Sequence, residues 1–281
     1  MFKNISFLCE RSYVWETIIL YFYLDFKTMR ETDEKPRIFS NDSGVVVIKS
    51  ETKNRIIDIL KDGEKHASQI KKELGKAKST TSVHLSDLKE LGIIEEKDDS
   101  FDERKKIFYL SSQLLGRSEH PQDKHYNDIL DGLKGTIGDR YEFLKGLFHL
   151  LRHGLDSFGL DVHPALKEIG RDAGKSIGED LSVKNKEELY QELSDFWKKT
   201  GLGTMKVTEE DGLIVEECFD CCDMPEVGHT LCSLDEGILE GIIESALGKK
   251  VDVIEEECHG SGHEHCLFKI DFNFRESLRE Q

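Results

Sequence analysis

With 281 residues, the chain is long enough for two domains, each burying a core without disulfide support. Hydrophobic residues make up 37% and charged residues 34%, with four prolines, an ordinary globular composition that excludes a long disordered tail. The formal net charge of −17 excludes phosphate binding by the chain as a whole and confines any such role to a region that escapes the balance.

Residues 1–44 read as an N-terminal extension. Phe2, Phe7, Tyr13, Trp15, Tyr21, Phe22, Tyr23 and Phe26 crowd together ahead of a polar run from Arg30 to Pro36. Two readings stand: a helix that packs on a partner chain, or an upstream stretch preceding a true translation start at Met29. The apolar stretch from Tyr13 to Phe26 contains Glu16 and Asp25 and has no small-residue cleavage site behind it, so it does not read as a secretory signal. It is too short to span a bilayer. The expected compartment is the cytoplasm, with no membrane partner.

From Glu51 the helical period is clear. Ile56, Ile57 and Leu60 form one stripe ending at Asp62-Gly63, and Ala67, Ile70 and Leu74 form another ending at Gly75. A third helix starts near Ser79, carries Leu85, Leu88 and Leu91 inward and stops at Gly92. Residues 93–110 read as a hairpin, because Ile93-Ile94 and Ile107 to Leu110 flank a charged tip from Glu95 to Lys106. Helix, helix, helix, hairpin is the winged helix-turn-helix order, assigned to residues 45–112. This region carries 14 Lys and Arg against 13 Asp and Glu, a net of +1 that leaves −18 to the rest. Within its third helix, Ser79, Ser82, His84, Leu85 and Leu88 fall in the spacing S-x-x-S-x-H-L-x-x-L. That pattern resembles the recognition helix of the ArsR-type winged-helix repressors.

Leu85 and Leu88 anchor such a helix, while Lys78, Ser79, Thr80, Ser82 and His84 project toward phosphates and base edges of double-stranded DNA. Arg104, Lys105 and Lys106 at the wing are placed to meet the flanking backbone. Residue by residue, the bland alternative is a capping segment and a solvated turn. Metal-sensing repressors of that type carry cysteines in their DNA-binding helices; this module has none, so sensing falls to the second domain.

The polar, aperiodic stretch from Ser111 to Lys124 reads as the linker, within a linker-and-helix segment of 113–136. The second domain is helical first (Asn127 to Lys134, Asp139 to Leu155, His163 to Leu181, Lys186 to Thr200). It then alternates strands with one helix, Leu234 to Leu247, and ends in a hairpin, so the chain as a whole is α+β. Six of the chain's seven cysteines lie between 218 and 266, among many carboxylates. An odd number of cysteines without an export signal points to reduced thiols, metal ligands or a redox switch.

Residues 137–274 resemble the 4-vinyl reductase domain. The resemblance rests on Gly170, Gly174 and Gly178 in one helix, on Cys232-x4-Gly237-x3-Gly241, and on Glu255-x2-Cys258-x2-Ser261-Gly262-x3-Cys266-x-Phe268. In such domains of aromatic-responsive activators, three cysteines and a glutamate hold zinc. The resemblance therefore implies one structural zinc per chain on Cys232, Glu255, Cys258 and Cys266. Glu255 and Cys258 would face opposite sides of a regular strand, so the chain must bend between them, with Glu256 as the fallback. The residues agree: strands Val251 to Glu257 and His265 to Phe272 would form a hairpin about Gly260 and Gly262 that brings Cys258 and Cys266 close. Cys232, just ahead of its helix, then closes the tetrahedron. His259, His263 and His265 are alternative ligands or, preferably, solvated turn residues.

Cys218, Cys221 and Cys222 are left for a redox role, with a second metal site or simple burial as alternatives. Asp220 and Asp223 would raise their thiol pKa values. A winged helix joined to a 4-vinyl reductase domain is similar to the methanogen-specific regulators of that architecture, which implies a redox-responsive transcription regulator acting as a homodimer. A second reading has the same domain sense a small aromatic or apolar molecule in space left by Gly170, Gly174 and Gly178, though such spacing more often lets helices pack. A reductase-type enzyme is the remote alternative, since no nucleotide-binding glycine loop, H-E-x-x-H or G-x-S-x-G is present.

Overall fold

A computed structural model describes residues 35–272 apart from positions 101, 103, 122–124, 182, 184, 210 and 211. The aromatic N-terminal segment and Met29 lie outside the described residues.

The described chain opens with a hairpin. Strands β1 (Arg37–Asn41) and β2 (Gly44–Ile48) are antiparallel, joined by Asp42-Ser43, and Gly44 takes a φ of +123° that a side chain would resist. Ser50 then caps α1 (Glu51–Lys61), accepting the Lys53 backbone N–H. The two-residue strand β3 (Lys65–His66), α2 (Ala67–Leu74) and α3 (Lys78–Glu90) follow, and Gly75 stops α2 in the left-handed conformation. Strands β4 (Ile94–Asp98) and β5 (Lys106–Leu110) pair from Ile94↔Leu110 to Asp98↔Lys106, and β3 adds to β5, forming the wing. Ile56, Ile57, Leu60, Ile70, Leu74, Leu85 and Leu88 are buried together, each contributing roughly 1.5–3 kcal/mol of burial.

Two boundaries differ from the sequence reading. Phe39 and Ile48 belong to the same core, so the winged-helix module begins at β1 rather than at residue 45. The stretch expected to be a linker contains β6 (Gln113–Ser118), which pairs antiparallel with β1. The reason is backbone economy: β1 has β2 on one edge only, and β6 fills the other edge with hydrogen bonds that need no apolar pattern.

Helices α4 (Tyr126–Gly135) and α5 (Arg140–Ser157) come next, followed by β7 (Leu160–Asp161), which pairs with β6 and so completes a sheet in the order β2-β1-β6-β7. After α6 (His163–Gly178) and α7 (Lys186–Thr200), strands β8 (Thr204–Val207) and β9 (Leu213–Glu216), helix α8 (Ser233–Leu247), and strands β10 (Asp252–Glu257) and β11 (Cys266–Asp271) complete the chain. Their sheet runs β10-β11-β9-β8, all antiparallel. Leu189, Leu193 and Trp197 of α7 and Leu239, Ile242 and Ile243 of α8 share its core with Met205, Leu213, Val215, Val253 and Phe268.

The glycines of α6 and α8 are there for contact. A Cβ on Gly174 would stand 2.2 Å from the Ile238 carbonyl oxygen, and one on Gly237 would stand 1.9 Å from that of Lys167. The two backbones touch, leaving no space for a ligand beside Gly170, Gly174 and Gly178. A buried ion-pair network runs alongside. Glu240, fully buried, accepts from Arg171 Nε at 2.9 Å and from the Val253 N–H at 2.9 Å, and pairs with Lys167 at 2.9 Å.

Candidate metal centre and nucleic-acid interface

Around the second sheet's edge, five cysteines and one glutamate converge. The donor atoms of Cys232, Glu255, Cys258 and Cys266 all lie within 4.8 Å of one another, and so do the sulfurs of Cys218, Cys221, Cys232 and Cys266. All six residues are buried. Three local features bring them together. A bulge in β10, where the register with β11 shifts between Glu255 and Glu257, turns both Glu255 and Cys258 inward and sends Glu256 out to pair with Lys269. A tight turn, His259–Ser261, returns the chain to Cys266, with Ser261 and His263 N–H groups donating to the Cys258 carbonyl. Cys232 sits at the N-cap of α8, where the helix dipole favours a thiolate.

The donor set fits a thiophilic tetrahedral ion. A zinc–sulfur bond of about 2.3 Å implies tetrahedral S···S edges of roughly 3.8 Å; Cys232 stands 3.9 Å from Cys258, 3.7 Å from Cys266 and 3.7 Å from Cys218. Glu255 is half-committed. Its Oε2 accepts the N–H groups of Leu231 at 3.1 Å and Cys232 at 2.8 Å, while its buried Oε1 has no hydrogen-bond partner. Burial and the neighbouring Cys258 push this carboxyl up to about 8, so a cation is what would keep it ionised.

The sequence reading set Cys218, Cys221 and Cys222 apart from the metal ligands; the structure divides them. Glu217, with φ +53°, turns the chain out of β9, and the N–H groups of Cys221 and Cys222 fold back onto the Cys218 carbonyl. Cys218 and Cys221 thereby enter the cluster, with Cys221 3.2 Å from Cys266. Cys222 stands outside it, half-buried, accepting from Lys145 at 3.4 Å. Burial raises its thiol pKa and Lys145 opposes that rise. The histidines behave as turn residues: His265 pairs with Glu257 at 2.9 Å and His263 meets Ser261 at 3.2 Å, and no histidine falls within the clustered donor groups among the described residues.

At the other end of the chain, α3 buries Thr81, Leu85 and Leu88 and exposes Lys78, Ser79, Thr80 and Ser82. His84 is half-buried, its Nδ1 enclosed without a partner. Arg104, Lys105 and Lys106 are exposed on the wing, but each is already paired: Asp102 takes Arg104 at 3.0 Å and Lys105 at 3.5 Å, and Asp98 takes Lys106.

Residues 50–96 match the bacterial regulatory protein arsR family, and residues 212–272 match the 4-vinyl reductase domain. The uncharacterized protein MJ0150 of Methanocaldococcus jannaschii is 30% identical over 129 residues, 44% of this chain and 73% of that one. The chain belongs to the 4-vinyl reductase domain family. A second relative from that organism, the uncharacterized protein MJ1642, is 34% identical over 99 residues, 34% of this chain and 59% of its own length. The crystal structure of a vinyl-4-reductase family protein from M. jannaschii covers 54% of this chain and 97% of its own at 21% identity, with a TM-score of 0.33. Joined to a 4-vinyl reductase domain, the arsR-family helix-turn-helix makes this a DNA-binding transcription regulator. No helix among the described residues is long and apolar enough to cross a membrane.

One set of residues in this 4-vinyl reductase regulator escaped the sequence reading. Lys145, His149 and Arg152, spaced along one face of α5, are buried and clamp the cysteine loop. Arg152 donates to the carbonyls of Leu231 at 2.9 Å and Asp220 at 2.7 Å and pairs with the Asp220 carboxylate at 2.6 Å; His149 Nε2 meets the Phe219 carbonyl at 2.9 Å; Lys145 pairs with Asp223. The signal was present as three cationic or titratable residues at i, i+4 and i+7 on a helix whose other positions are largely apolar.

Proposed function

We propose that this protein is a redox-responsive DNA-binding transcription regulator, in which the thiolate cluster of the 4-vinyl reductase domain controls operator binding by the winged helix. The observation that carries it is the convergence of five buried sulfurs and a carboxylate with an unpaired oxygen. Such a group needs cations to remain ionised and loses donors on oxidation. Cys232, Glu255, Cys258 and Cys266 hold a zinc ion, which ties β10 and β11 to the start of α8. Lys78, Ser79, Thr80 and Ser82 meet the major groove, with His84 orienting from behind, and Arg104, Lys105 and Lys106 exchange their carboxylate partners for DNA phosphates.

The closest sulfur pair, Cys221 and Cys266, defines the switch. Two thiols give a disulfide and pass two electrons and two protons to a peroxide, which leaves as water. Two cluster donors are lost in that step. Leu144, Leu151, Leu155 and Phe158 are exposed along α5, an apolar surface suited to a second copy of the chain, and a homodimer would present two recognition helices to successive grooves.

The test is a gel-shift titration of the full chain on its own promoter DNA under reductant, under peroxide and after chelation, with metal content measured in each sample. At least a tenfold change in apparent affinity on oxidation, accompanied by zinc release and reversed by reductant, is expected. Equal affinity in all three conditions would remove the redox reading.

A further inference from the structure

The two four-donor groups share two members. Cys232 and Cys266 belong both to the set with Glu255 and Cys258 and to the set with Cys218 and Cys221. The shared sulfurs stand 3.7 Å apart, the length of one tetrahedral edge. Each of the other four donors lies on one side or the other: Cys218 is 3.7 Å from Cys232 and Cys221 is 3.2 Å from Cys266 on one flank, while Cys258 is 3.9 Å from Cys232 on the other. Two tetrahedra joined along an edge have this donor arrangement.

From this juxtaposition we infer that the 4-vinyl reductase domain holds two thiophilic divalent ions, bridged by the thiolates of Cys232 and Cys266, with Glu255 and Cys258 terminal on one and Cys218 and Cys221 terminal on the other. The inference extends the metal-centre reading above and rests on it.

Three observations support a second ion over a pair of spectator thiols. First, Cys218 and Cys221 are fully buried, and the chain uses an uncommon positive φ at Glu217 and two backbone hydrogen bonds to the Cys218 carbonyl to aim them inward. Plain apolar burial would need none of this. Second, the charge closes. Five thiolates and one carboxylate carry −6, two divalent ions bring this to −2, and Arg152, with its side chain 2% exposed, stands behind the loop. One ion on three thiolates and the carboxylate also leaves −2, so the second ion lets the last two thiols ionise without adding buried charge. Third, Asp235, 3% exposed, accepts from Cys218 Sγ at 3.6 Å, an outer-shell contact of the kind that orients a ligating sulfur.

The same arrangement gives the redox step greater leverage. Disulfide formation between Cys221 and Cys266 removes a terminal donor from one ion and a bridging donor from both, so one oxidation event weakens the entire centre.

The experiment uses the full chain, stripped of metal under reductant and titrated with ¹¹³Cd²⁺. Two bound equivalents and two cadmium resonances coupled to each other through the shared sulfurs are expected. A single equivalent, or two resonances without mutual coupling, would overturn the bridged pair, as would native protein that carries iron with acid-labile sulfide. The double substitution Cys218→Ser with Cys221→Ser should bind one equivalent and give one uncoupled resonance; unchanged two-ion binding would remove these two residues from the site. Because the wild-type spectrum decides the bridge by itself, a misfolded variant does not affect the outcome. Indifference of promoter binding to peroxide would count against the redox reading while leaving the cadmium count intact, so the two failures are separable.

Discussion

His149 is held neutral. Burial is the main cause, with Arg152 and Lys145 adding repulsion and the hydrogen bond to the Phe219 carbonyl opposing, and together they bring its pKa down to about 4 from an ordinary 6.5. Because the folded value is the lower one, the unfolded chain takes up a proton first as pH falls. This contribution to stability is therefore complete above about pH 6.5 and is lost progressively down to about pH 4. His149→Gln keeps a donor for the Phe219 carbonyl without the titration. Thermal unfolding measured at pH 7 and pH 5 should show a smaller acid loss for the variant, by on the order of 2 kcal/mol at pH 5. An equal loss in both proteins would place the acid sensitivity elsewhere. Single residues also mark where sequence reading stops: Cys258 and Cys266 were legible from a hairpin spacing, whereas Cys218 and Cys221 enter the cluster through Glu217's backbone and the grip of Arg152 on the Asp220 and Leu231 carbonyls, contacts 68 and 79 residues apart along the chain.

Among the elements, α6 and α8 depend on having no side chains at their contact. Gly174→Ala forces a Cβ to 2.2 Å from the Ile238 carbonyl, which fixed backbone cannot yield, and should destabilise the protein by about 3 kcal/mol or more. Gly132→Ala in α4 meets nothing within 4 Å and should instead stabilise by about 0.5–1 kcal/mol. Denaturant midpoints for the pair check both signs. The helices were legible because their apolar period is strong, and the bend in β10 was legible because Glu255 and Cys258 could not otherwise face one site. The hairpin of β1 and β2 was not, although Asn41-Asp42-Ser43-Gly44 is a turn followed by Val45 to Ile48; its nearness to an aromatic terminal segment led to its assignment there. Strand β6 carried no alternating pattern, because its place is set by the open edge of β1 and not by its own side chains.

At the scale of the whole molecule, sensing and reading modules meet across a cleft of about 920 Å³. Its walls include Phe39 and Lys61 on one side and Lys167, Ser233 and Glu236 on the other. Ser233 follows Cys232 directly, and Glu236 accepts the Glu255 N–H at 2.7 Å, so changes at the thiolate cluster reach this wall within one residue or one hydrogen bond. Arg117 of β6 pairs with Asp161 of β7 at 3.0 Å across the same junction. Arg117→Ala should cost under about 1 kcal/mol of stability, since the arginine side chain is 41% exposed. It should nonetheless narrow the affinity difference between reduced and oxidised protein by about threefold, the scale on which intermediate residues tune coupling. Parallel promoter titrations of variant and wild type provide the check, and an unchanged ratio would take Arg117 out of the connection.

Strand β7 is two residues long, yet it has a consequence for how such regulators are assembled and inherited. It is drawn from beyond the first two helices of the sensing region and hydrogen-bonded into a sheet whose other strands flank the DNA reader. A reader excised at Ser112, where the sequence turns polar, would lose β6 and leave β1 with a bare edge open to other chains. One cut after β6 would move the same exposure one strand outward. The reader and the sensor are therefore poor interchangeable parts: a lineage that recombined one with a foreign partner would have to carry the seam along with it or evolve a new one.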